Sequence, residues 1–297
     1  MHTFGKIGCL ASAGGITTQL VSVSLLYEYT AKYDLHEDDR DSLTHQSTVP
    51  ILQLIAIAYV VLVVYLGTAW ICVADEYWKI IWRSQFLGVM FGLGVSINIY
   101  CIDQYVSLGW YICVMSFFHF SEFVMVSVIR PQNLSTESFL LNHSKAYFLA
   151  ALMSWFEYII ELLLLPDLKN IKFLSFIGLV LCLGGEALRK VAMLTAFNNF
   201  DHLIRTRREE KHELVTSGIY RLCRHPSYVG WFYWSIGTQV MLCNPLCTVA
   251  YTLVSWRFFN ERIFEEELTL LHFFGDEYAD YQKKVPTGLP FIQGYLC

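Results

Sequence analysis

The turn Arg224-His225-Pro226-Ser227-Tyr228-Val229-Gly230-Trp231 presses a guanidinium, an imidazole and a phenol against the start of an apolar run. Some thirty residues later the same apolar hairpin ends in a second charge cluster, Arg257 to Glu267. A loop that only links two spans has little use for such groups, and ionisable side chains at a membrane boundary usually serve a site. In the second cluster Arg262 and Glu266 are four apart, so on a helix they share a face. There a guanidinium can grip a carboxylate with two parallel hydrogen bonds, and a carboxylate can hold a cation. The bland alternative is a surface ion pair in the poorer Arg-before-Glu order, worth about a few tenths of a kcal/mol. The run Glu265-Glu266-Glu267 can likewise be a solvated face. Position favours a site: the pair sits one to two turns past the membrane boundary, opposite the segment that leads into the partner helix.

That segment runs from His212 to Tyr228. Gly218 permits a positive φ and close approach of backbone to a ligand. Pro226 suits the first turn of a helix. Tyr220 and Tyr228 offer apolar bodies with polar tips. His212 and His225 are thirteen apart with no third ligand in view, so neutral hydrogen-bonding walls for a polar cofactor are the better reading, and no metal is expected.

Stepping from these residues to their supports, the chain of 297 residues is 55% hydrophobic and only 16% charged, with a mean hydropathy of +0.42. Soluble domains carry roughly 25% charged residues, so the expected fold is all-α, a polytopic integral membrane protein. Continuous apolar runs near 8–27, 51–74, 81–101, 106–129, 146–165, 171–197, 228–243 and 246–260 predict eight spans. Eight spans put seventeen Lys and Arg residues on the face of the two termini and four on the other, which predicts cytoplasmic termini and a cytoplasmic 198–227 loop. Residues 1–197 read as a six-span scaffold and 198–297 as the catalytic region. A single helix should run from Leu246 past Leu271 to a stop at Gly275, followed by an amphipathic tail with Tyr278, Tyr281, Lys283 and Lys284 lying back on the membrane. Glu122, Glu157, Glu161, Glu186 and His119 fall inside spans. None shows an evident partner at helical spacing, and structural hydrogen bonds are their simplest use. Nine cysteines without a CxxC pair read as core residues.

From His212 through Ile292 the chain resembles the isoprenylcysteine carboxyl methyltransferases of the endoplasmic reticulum membrane. The features that carry this are HELVxSGxYxxxRHPSYVGWF, the Asn-Pro hairpin turn, WRFFxxRxxEEE and FFGxEYxxYxxxVPTGLPFI. The resemblance implies methyl esterification of the prenylcysteine carboxylate of prenylated protein C-termini, with S-adenosylmethionine as cofactor and S-adenosylhomocysteine as product. It implies that Arg205, His212, Glu213, Leu214, Val215, Tyr220, His225, Pro226, Ser227, Tyr228 and Glu266 line the cofactor site. Arg262 and Glu266 are then the catalytic pair, with Arg262 on the substrate carboxylate. Arg205 stands where relatives carry glutamine, so only its backbone is expected to serve unchanged. The prenyl tail should enter sideways from membrane lipid, and no nucleic acid partner is expected. A phospholipid N-methyltransferase shares the RHPxY and EE elements but would set Arg262 beside a cationic head group. A transporter or receptor would place its ionisable groups nearer the midplane.

Overall fold

The structure, a computed structural model, describes residues 3–34, 76–141, 144–204, 207, 208 and 212–295. The expected span at 51–74 and the cofactor contact at Arg205 lie outside the described residues. All regular elements among the described residues are helical. The main helices are α1 (Thr3–Asp34), α2 (Glu76–Tyr100), α3 (Val106–Ile129), α4 (Lys145–Leu164), α5 (Lys172–Ala196), α6 (Pro226–Met241), α7 (Pro245–Phe274) and α8 (Asp276–Lys284).

Among the described residues, four stretches are long and apolar enough to cross a membrane: Phe4–Ser24, Trp78–Tyr100, Asp103–Ile129 and Lys145–Leu164. In α5 the apolar run is interrupted by Glu186, Arg189 and Lys190, and α6 has only 16 residues. Only the first half of α7 is apolar.

The chain forms two compact units. The first comprises Met1–Leu149 with Ile159–Lys172, the second Ala150–Tyr158 with Phe173–Cys297. In the first, α1 lies along α2 closely enough that a Cβ on Gly15 would meet the Gln85 carbonyl at 2.5 Å. Ile80, Leu87, Phe123 and Phe139 form an apolar cluster, with the Phe123 and Phe139 rings stacked 4.2 Å apart. His119 lies within hydrogen-bonding distance of the Phe139 carbonyl (2.9 Å) and the Tyr147 hydroxyl (3.3 Å). Glu161 accepts from Lys169 at 2.6 Å.

In the second unit, α5 and α6 approach through glycines: a Cβ on either Gly185 or Gly230 would meet the other's carbonyl oxygen at 2.5 Å. The α6–α7 hairpin turns at Asn244-Pro245. The Asn244 amide donates to the Ser154 carbonyl at 3.0 Å and to Gln239 Oε1 at 3.2 Å. Glu157 in α4 accepts from the first free backbone N–H groups of α7, at Leu246 and Cys247, both at 2.7 Å. A carboxylate is favoured there because unpaired N–H groups and the helix dipole converge on it. Its partners lie about ninety residues away in sequence, out of reach of any spacing rule. Glu186 does have a helical-spacing partner, Lys190 at 3.2 Å, contrary to the expectation that these carboxylates lacked one.

Helix α7 is a single rod of 30 residues that ends at Gly275 with φ +54, as expected from Leu246 onward. The tail differs from expectation. Tyr278 and Tyr281 of α8 are 1% and 8% exposed, buried in protein, while Lys283 is solvated. Tyr281 donates its hydroxyl to the Tyr220 carbonyl at 2.5 Å. A fixed protein acceptor satisfies the Tyr281 hydroxyl, which lets that ring turn inward.

Candidate functional site

Between the end of α5, the 199–228 segment, α7 and α8 lies a cavity with an empty volume of about 880 Å³, its open mouth included. Ten of the residues expected around a cofactor line it. His212, Glu213, Leu214 and Val215 come from the loop. His212 packs its ring edge-on to Phe273 and Phe274, 5.8 and 5.3 Å away, and the Glu213 N–H donates to Asn199 Oδ1 at 3.0 Å. Tyr220 follows Gly218, whose φ of +59 supports the reading of a turn. Burial, then the nearby Glu266 charge, pushes the Tyr220 hydroxyl well up, so it stays protonated.

His225, Pro226, Ser227 and Tyr228 line the cavity at the start of α6, with Pro226 in the first helical turn. Ser227 is held from behind: Arg189, 2% exposed, donates to its hydroxyl at 2.6 Å and lies over the Trp231 ring at 4.9 Å. The rings of His225 and Tyr228 are nearly parallel, 5.6 Å apart.

Glu266 lines the cavity from α7; Arg262 does not. The two share a face but form no direct ion pair. Tyr228 joins them: its hydroxyl donates to Glu266 Oε2 at 2.5 Å and accepts from Arg262 Nε at 3.0 Å. Arg262 Nη2 donates to the His202 carbonyl at 2.5 Å, and among the described residues Nη1 makes no hydrogen bond. The guanidinium thus sits one turn from the Glu266 carboxylate that reaches the cavity.

The residue that sequence reasoning missed is Glu267. It is 0% exposed, not part of a solvated face. Its Oε1 accepts from Arg224 Nε at 2.7 Å and lies 2.9 Å from His225 Nε2. Its Oε2 accepts from Gln282 Nε2 at 3.1 Å and the Tyr295 N–H at 2.9 Å. Burial alone would raise this carboxyl, but the hydrogen bonds and charges of His225 and Arg224 outweigh that and hold it below the usual carboxylate range. Arg224, itself buried, also donates to the Gln282, Val285 and Gln293 carbonyls. The backbone N–H groups of Arg224 and His225 reach the Pro286 and Thr287 carbonyls. One signal was present: Phe259, Ile263 and Glu267 recur every four residues, so Glu267 continues a buried stripe.

This donor set suits a cationic, nucleotide-bearing cofactor. A carboxylate, Glu266, reaches the cavity with its side chain 30% exposed, and aromatic faces flank it, the pairing that holds ammonium and sulfonium groups.

The chain resembles known proteins in sequence and in fold. Residues 177–272 match the Isoprenylcysteine carboxyl methyltransferase (ICMT) family. The chain is 59% identical to the protein-S-isoprenylcysteine O-methyltransferase of Xenopus laevis over 212 residues, 71% of this chain and 73% of that protein. To the protein of that name from Homo sapiens it is 54% identical over 212 residues, 71% and 74% of the two. A solved structure of the eukaryotic intramembrane Ras methyltransferase ICMT superposes with a TM-score of 0.87 at 42% identity, covering 99% of this chain and 100% of the other.

Proposed function

Since the chain belongs to the isoprenylcysteine carboxyl methyltransferase family, we propose that the cavity beside α6 holds S-adenosylmethionine and that Arg262 receives the substrate carboxylate. The protein is a membrane enzyme that methylates the α-carboxylate of C-terminal prenylcysteine. When bound, the cofactor supplies an electrophilic methyl group. An α-carboxylate has a pKa of about 3.5 and is already ionised near neutral pH, so no general base is needed. What remains is to hold an anion in line with the methyl group and away from water, and positioning of this kind can supply several kcal/mol.

Arg262 fits that task because it stays charged and offers a planar fork. Glu266 holds the cationic end of the cofactor. His212, Glu213, Leu214, Val215, Tyr220, His225, Pro226, Ser227 and Tyr228 wall the remainder, and Arg205 joins them on the resemblance alone. The observation that carries this reading is the Tyr228 hydroxyl, bonded to both Arg262 and Glu266, which ties the substrate-side charge to the cofactor-side charge in one fixed geometry.

We further assign eight spans, with residues 1–197 as scaffold and 198–297 carrying the chemistry. Both termini and the site face the cytoplasm at the endoplasmic reticulum membrane, where prenylated protein tails arrive. The product is S-adenosylhomocysteine. Arg262→Ala should leave the Kd for S-adenosylmethionine within a few-fold while methyl transfer to N-acetyl-S-farnesylcysteine is lost. Glu266→Gln should weaken cofactor binding about tenfold, the scale of one charge-assisted hydrogen bond. Titration calorimetry beside a labelled-methyl assay checks both. Normal turnover in the arginine variant, or an unchanged Kd in the glutamine variant, removes the assigned role.

A further inference from the structure

In the turn Leu289-Pro290-Phe291-Ile292, Phe291 adopts φ +61. That is the left-handed region, which glycine normally fills after proline in a turn of this kind. A bulky side chain is disfavoured there, and no packing offsets the strain, since the residue is 95% exposed. The turn is fixed from both sides. Leu289 and Ile292 are buried in an apolar cluster with Phe259 and Ile263. The Thr287 hydroxyl donates to the Ile292 carbonyl at 2.6 Å, and the Ile292 N–H reaches the Leu289 carbonyl at 3.4 Å. The fold therefore holds an aromatic ring outward, where glycine would have been cheaper.

Trp256 sets the depth of that ring: its indole N–H donates to the Pro290 carbonyl, one residue before Phe291, at 2.8 Å. Trp256 stands near the end of the apolar half of α7, next to Arg257, whose side chain is 80% exposed. An indole beside an arginine at the end of an apolar run marks a bilayer edge. On the same half-helix Leu246, Val249, Leu253 and Val254 are 60–75% exposed, a surface suited to lipid. Lys283 and Lys284 are exposed in the segment leading to the turn, where they complement anionic headgroups.

We propose that Phe291 is a membrane anchor, seated in the phospholipid interface beside Trp256. The strap 285–295 is then fastened to the bilayer at its tip, while its backbone is fastened to Arg224 and Glu267. This rests on the reading of residues 246–260 as a membrane span. The test places the photo-crosslinker p-benzoylphenylalanine at Phe291 or, as a reference on the exposed face of the apolar half of α7, at Leu253. The full chain is reconstituted in vesicles of phosphatidylcholine and phosphatidylserine, irradiated and weighed by mass spectrometry. The expected result is a gain of one phospholipid's mass at both positions in comparable yield. An adduct at Leu253 alone overturns the anchor and leaves the span standing. An adduct at neither overturns both, and a cross-link from position 291 to a second copy of the chain, in place of lipid, overturns the anchor.

Discussion

Both units back-bond hydroxyls along their own helices, the second at Thr195, Thr248 and Thr252, but they differ in the bonds that stand out beside this habit. In the first, many hydroxyls bond four residues back along their own helix: Thr17 to Ala13, Thr18 to Gly14, Ser22 to Thr18, Ser96 to Gly92 and Ser116 to Ile112. In the second, the decisive bonds join residues far apart in sequence: Arg224 to Glu267, Arg262 to Tyr228, Glu157 to the start of α7. Local back-bonding lets a polar residue sit in an apolar helix without specifying any neighbour. Bonds across the fold do the reverse, fixing particular side chains in one place at the cost of leaving a buried charge stranded if one partner is lost. Where the chemistry is proposed, the chain uses the second kind.

That contrast is exposed to measurement. The largest effect is expected for Glu267→Ala, which strands the buried Arg224: a loss of about 3–5 kcal/mol, read as a fall in Tm of the detergent-purified protein. A stability close to that of the parent would mean that the network is ornamental. The same carboxylate gives a pH signature. Its folded pKa is depressed, so its contribution is fully present above the ordinary carboxylate value and is lost as pH falls through the folded one. Thermal melts across the acid range should therefore decline more steeply for the parent than for Glu267→Gln, and parallel declines would refute the linkage. Next is Glu157→Ala, which leaves two N–H groups of α7 without their acceptor and should cost about 1–3 kcal/mol by the same melts. Smallest is Lys172→Ala in the first unit. It removes an exposed pair with Asp103 at 2.6 Å and should cost no more than about 1 kcal/mol. A larger loss there would erase the distinction between the units.

How much could be read beforehand follows the same division. Helix α7, its stop at Gly275 and the Asn244-Pro245 turn were legible because proline, glycine and apolar runs act locally. The cavity-lining residues were legible through resemblance, since only a long matched stretch brings His212, His225 and Glu266 together. Glu267 is not singled out by the sequence because its neighbours Glu265 and Glu266 hide its place on the stripe of Phe259 and Ile263. The Glu186–Lys190 pair was plain in the spacing and simply overlooked. Tyr278 and Tyr281 were assigned to the membrane because an amphipathic segment does not reveal which apolar surface it meets. The acceptor for Tyr281 is a backbone carbonyl sixty-one residues away, which no periodicity announces.

The contact of Gly185 with Gly230 bears on how a greasy substrate travels. Where two backbones touch with only hydrogen atoms between them, the seam is too narrow for even a single methyl-branched chain to thread. On the proposed assignment, a farnesyl or geranylgeranyl tail whose carboxylate goes to Arg262 does not thread α5 and α6 at this glycine contact, and its way in lies elsewhere.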